Sequence, residues 1–190
     1  MKSLAVAFAV LALLAGAAML AYAQWTRDLD RADRALAGGR LADAAAGYDA
    51  AIARFDRVPA ARQMFAPEYD RAIANRLWAL YRLKRYEEAI ELAERAPAGA
   101  RPHFWSGCAL FDKALVEEKP DARLGWLTRA EDEFHKAIEA APDDWDTKHN
   151  YELTSRLAAE LRKTPKTPPR QLMQLLRPPS PAGKPARSVG

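Results

Sequence analysis

Apolar residues recur along most of this chain at the spacing of amphipathic helices. Trp25, Leu29, Ala32 and Leu36 share one face, which predicts a helix over Trp25–Ala37 that Gly38-Gly39 ends. Leu41–Phe55 follows as a partner, and Arg57–Pro67, with two prolines, reads as a connector. Glu68–Leu83 is the next helix, with Ile73, Leu77, Leu80 and Tyr81 turned inward, and Tyr86–Arg95 pairs with it. After a linker at Pro97–Pro102, helices are expected at His103–Glu118 and Ala122–Ala141, separated by Lys119-Pro120-Asp121. Pro142 stops the second of these, and Asp143 or Asp144 caps a last helix from Trp145 to Arg162. No stretch alternates Val, Ile and Thr as a half-buried strand does, so the fold class is all-α.

The helices carry small residues where a neighbour has to come close. Ala130, Phe134 and Ala137 share a face, preceded by Gly125 and Leu127 and followed by Pro142. The pattern returns, weakened, as Gly39-Leu41-Ala44-Tyr48-Ala51 and as Tyr86-Ala89-Ala93-Ala96. This resembles the tetratricopeptide repeat (TPR), and the resemblance implies an α-solenoid of about three helix pairs plus a closing helix. The matching alanines are 45 and 41 residues apart, against about 34 for a regular repeat, and the connectors absorb the surplus. The first unit lacks the closing proline; the second has Lys84 in place of glycine and Ala93 in place of an aromatic residue.

The amino terminus alters the picture. Leu4 to Ala23 is twenty residues without a charge, preceded by Lys2. At about 1.5 Å per residue such a helix reaches roughly 30 Å, the thickness of a bilayer core. Ala21-Tyr22-Ala23 also fits a signal-peptidase site ahead of Gln24. Anchor and cleaved signal both imply export, and the length favours an anchor in a bacterial inner membrane with the remainder in the periplasm. The chain thus divides into an anchor or signal at 1–23, a helical domain at 24–162 and a tail at 163–190.

The 190-residue chain has a net charge of +4, but six basic residues and no acid lie from Lys163 onward. The region before them is net acidic, which argues against a nucleic-acid-binding face. The tail has seven prolines in its last 27 residues and reads as extended or disordered. Within it, Leu172, Met173, Leu175 and Leu176 form an apolar island able to dock on the domain or on a partner. Cys108 is the single cysteine, so an intramolecular disulfide is excluded and a buried structural thiol is expected.

Catalytic chemistry finds little support. Glu131, Asp132 and His135 lie near one helical face without matching ligands elsewhere. Asp143, Asp144 and Asp146 lack the glycine and distant glutamate of a calcium loop. No nucleophile elbow or phosphate loop occurs, so no catalytic, metal or cofactor site is expected. The TPR resemblance instead implies a groove lined by the first helix of each pair. Its candidates are Arg71, Asn75, Trp78 and Arg82 in the second unit, with Lys148 and Asn150 on the closing helix. Arginine suits carboxylates through paired hydrogen bonds, and tryptophan supplies an apolar anchor. Asp30 and Asp33 take the corresponding places in the first unit, where they would repel an acidic ligand.

A narrower resemblance lies in Ala141–Leu153. Its Thr-Lys-His-Asn-Tyr-Glu-Leu ending is similar to the closing helix of TPR proteins that accompany MoxR-type ATPases and von Willebrand A-domain proteins. Export, length and this ending together resemble the MxaK family of methanol dehydrogenase gene clusters. That resemblance implies a non-catalytic adaptor for maturing a periplasmic enzyme, with von Willebrand A-domain or MoxR-associated proteins as partners. The alternative is a structural scaffold for cell-envelope or division machinery.

Overall fold

The computed structural model describes residues 2–163; the tail, and with it the expected docking of Leu172, Met173, Leu175 and Leu176, lies outside the described residues. Eight helices and no strand make up the described part: α1 (Lys2–Ala37), α2 (Leu41–Arg57), α3 (Pro59–Met64), α4 (Ala66–Arg82), α5 (Tyr86–Arg95), α6 (Ala100–Val116), α7 (Pro120–Ala140) and α8 (Trp145–Lys163). Three of them have a proline at the first or second position (Pro59, Pro67 and Pro120), where the missing N–H has no helical partner to lose. Asp144 is the cap of α8: its carboxylate accepts from the Asp146 and Thr147 amides at 3.1 and 3.5 Å and from the Thr147 hydroxyl at 2.8 Å.

Two features refine the expected pattern. The apolar segment and the first domain helix are one unbroken helix, because nothing between Ala17 and Ala37 is a glycine or proline. The Arg57–Pro67 connector is not a plain loop but contains the short α3, started by Pro59. The apolar part of α1 is long and apolar enough to cross a membrane, or to be a signal sequence, and its side chains from Val6 to Leu20 are exposed.

Successive helices pack antiparallel. Along α1 and α2, Asp33 meets Tyr48 while Gln24 and Trp25 meet Arg54 and Phe55. Among the described residues, α1, α4, α6 and α8 also approach one another in turn to within 8 Å between Cα atoms, whereas α2, α5 and α7 do not. The first helices therefore share one continuous face. A main core runs from Leu29 to Phe134, and a small second cluster centres on Ala114, Leu127 and Ala158. Ala44, Tyr48 and Ala51, and likewise Ala130, Phe134 and Ala137, are buried, as their spacing predicts. Close approach is visible at Gly107, where a Cβ would lie 2.7 Å from the Phe134 ring.

Two turns match in detail. Gly39 (φ 73°) and Lys84 (φ 58°) are both left-handed. Each is followed by an amide that reaches back five residues, Arg40 to Ala35 and Arg85 to Leu80, at 2.9 and 3.0 Å. The lysine thus occupies the conformation that glycine takes one pair earlier.

Candidate functional site

The shared face of the first helices bears the candidate residues. Asp33 on α1, one turn before that helix ends at Ala37, is the meeting point of two of them. The Tyr48 hydroxyl donates to Asp33 Oδ1, and Asn75 Nδ2 donates to the same oxygen at 3.3 Å and to the Tyr48 oxygen at 3.1 Å. Arg71 lies 3.5 Å from Asp33 Oδ2. Burial raises the Tyr48 phenol well above its usual range and the Asp33 bond adds to this, so the hydroxyl stays a donor. Arg71 and Asn75 thus already face a carboxylate, one that the chain itself supplies. Asp33, expected to repel an acidic ligand, instead ties α1 to α4.

Arg71 is still half-exposed, and beside it opens a cleft of about 480 Å³ between α4 and the start of α6. Asp70, Arg71, Ala74 and Asn75 form one wall, and Pro97, Gly99 and Arg101 lie opposite. Arg101 has no ion-pair partner among the described residues, and the sequence pattern places it in a linker rather than on this face. Pro102 was the available signal, since a proline fits the first turn of a helix and α6 starts at Ala100.

The other candidates lie elsewhere on the face. Trp78 is half-buried, with the Arg82 guanidinium 5.2 Å from its ring centroid, an arrangement that favours a cation over the π face. Asn150 is half-buried in a second cleft of about 170 Å³ with Tyr81, Cys108 and Asp112. Its Nδ2 is 3.8 Å from Cys108 Sγ, and burial pushes that thiol up to about 12, which keeps it protonated. Lys148 is exposed, and its side chain makes no ion pair among the described residues. No Cα atom of α4 comes within 8 Å of one in α8, so the six candidates form separate groups rather than one constellation.

One regularity links two of them. Asn75 bonds Asp33 and Asn150 bonds Cys108, each 42 residues back on the preceding first helix. Among the described residues, no group of three or more His, Cys, Asp or Glu could hold a metal ion. No family model, no curated protein and no solved structure matches the chain.

Proposed function

We propose that this chain is a non-catalytic, membrane-tethered adaptor of TPR-like architecture that holds a segment of a partner protein on the shared face of its first helices. The observation that carries the reading is the approach of α1, α4, α6 and α8 to one another, which makes one extended face while the second helices stand apart. In a stacked array that face is the interior of the curve, where an extended partner segment has most contact. The equivalent turns at Gly39 and Lys84 and the repeated asparagine bonds support a repeat. The partner group most suited to the proximal cleft is a carboxylate, met by Arg71 and Arg101 while Asp33 and Tyr48 hold Asn75 in place.

The chain is placed on the periplasmic side of a bacterial inner membrane, anchored by α1. The Ala141–Leu153 ending favours assembly or maturation of an envelope protein, in the manner of the MxaK family and the partners it implies. Crosslinking from native membranes tests this, comparing the intact chain with an Arg71→Glu/Arg101→Glu variant. Von Willebrand A-domain or MoxR-type partners recovered with the intact chain and lost with the variant support the reading. Division proteins in their place favour the scaffold alternative. A partner set that the variant leaves unchanged overturns the role of this face.

A further inference from the structure

The end of the domain nearest the apolar half of α1 is built differently from the opposite end. Because α2 runs antiparallel to α1, it descends toward the membrane-spanning segment. Arg54 NH1 reaches the Gln24 carbonyl at 3.0 Å, and Phe55 stacks on Trp25 at 5.7 Å. At about 1.5 Å per residue, the last turn of α2 then ends level with Tyr22 and Ala23, where the uncharged stretch ends. Residues 58–65 lie at that level. Phe65 is 5.9 Å from the Tyr22 ring and 6.2 Å from that of Trp25, and Tyr22 OH donates to Glu68 Oε1 at 3.1 Å.

This connector is apolar and uncovered. Met64 is 76% exposed and Val58 41%, with Pro59, Ala60, Ala66 and Pro67 exposed beside them. Arg62 is the only charged residue in 58–65, and the α5–α6 connector 96–99 at the same end has none. The connectors at the other end carry Arg40, Lys84 with Arg85, and Glu117 to Lys119. An apolar connector in water lacks an explanation; beside a bilayer it has one. Tyr22 and Trp25 add the aromatic side chains that favour the interface. Arg57 flanks the connector, and among the described residues its guanidinium bonds the Ala53 carbonyl alone, which leaves its other N–H groups to meet lipid phosphate.

We propose that the 58–67 connector is a membrane-contact surface, on which Val58 and Met64 rest in the lipid headgroup layer around α1. The contact continues the apolar surface of the helix itself, and it rests on the reading of α1 as an anchor. It fixes the height and tilt of the domain, so that the cleft at Arg71 and Arg101 opens close to the bilayer. Asp143 and Asp144 close the corresponding turn of the last pair, so the footprint stops short of α8.

The test uses the full chain in nanodiscs of phosphatidylethanolamine and phosphatidylglycerol. Met64→Cys, Leu13→Cys and Val116→Cys are each labelled with an environment-sensitive fluorophore at neutral pH. Cys108 stays in place, since its buried thiol, pushed up to about 12, does not compete for the label. Ala60→Cys, on the same connector, replaces Met64→Cys if that variant folds poorly. The connector label is expected to lose most of its emission to lipids carrying a nitroxide at the headgroup. The label at Val116, itself 78% exposed at the opposite end, keeps its emission. If the connector label behaves like Val116 while Leu13 is quenched by deep nitroxides, the contact is overturned and the anchor stands. If Leu13 is not quenched either, the anchor reading falls and the contact falls with it.

Discussion

The two ends of the domain are held together by different means. Among the first helices, Trp25, Phe55, Phe65 and Tyr69 form a cluster of rings across α1, α2 and α4, with Trp25 and Phe55 stacked and Tyr69 edge-on to Phe55. The Asp33, Tyr48 and Asn75 bonds close over it. At the other end, α8 buries only Thr147, Thr154 and Ala158, and leaves Trp145 and Leu153 exposed. Aromatic pairs add directional contacts to their buried area, while two threonines and an alanine bury little apolar surface. The α1–α2–α4 end is therefore held by an aromatic core, and the last helix is a light cover over the remainder.

Truncation at each end gives the largest measurable contrast. Phe55 is fully buried, so Phe55→Ala should lower stability by about 3–5 kcal/mol in a urea titration. Trp145→Ala removes a larger ring that is 77% exposed, and should change stability by no more than about 0.5 kcal/mol. Equal losses at the two sites would erase the distinction.

A smaller effect is expected where α7 joins the two ends. Glu133 is half-buried, and burial alone would raise its carboxyl pKa. The bonds from Lys136 Nζ at 2.7 Å and His103 Nδ1 at 2.8 Å outweigh burial and hold it below the usual range. A carboxylate depressed in the folded state stabilises above its unfolded pKa, and that contribution is lost as pH falls through the folded value. Stability should thus decline on acidification from the ordinary glutamate range near about pH 4.3 downward. Glu133→Gln should cost about 1 kcal/mol at neutral pH and flatten the decline. A variant with an unaltered acid profile would remove Glu133 from the account.

Helix positions were legible in the sequence because periodicity and prolines record them locally. Tyr86–Arg95 is a helix with those very ends, and the alanine faces of α2 and α7 are buried as spaced. The continuity of α1 was not legible, since a span and a domain helix have separate signatures and only the absence of a breaker joins them. The candidate face was legible in part. Arg71 and Asn75 do line one cleft, but sequence spacing places residues on a helix and not the residue opposite. Asp33 is a repelling charge by its sequence place alone, because Arg71 and Asn75, which it meets, lie on a helix whose approach no local pattern specifies. Arg101 was missed for the same reason, being opposite Arg71 only once α6 is folded against α4.

The turns after the two first helices allow the finest comparison, because Gly39 and Lys84 hold the same backbone with different side chains. A left-handed conformation costs a residue with a Cβ about 1–2 kcal/mol, which glycine avoids. Glycine in turn loses more freedom on folding, by about 0.5–1 kcal/mol. Lys84 is exposed and makes no ion pair among the described residues, so its removal sacrifices none there. Lys84→Gly should therefore stabilise the domain by about 0.5 kcal/mol, the residue of those two opposing terms. The mirror change, Gly39→Lys, should destabilise by a similar amount, since a Cβ there meets open space and only the backbone opposes it. A gain at Lys84 without a loss at Gly39 would mean that the two turns are alike in geometry but not in strain. The α1–α2 turn would then differ from the α4–α5 turn in the strain of its backbone and not in its fold.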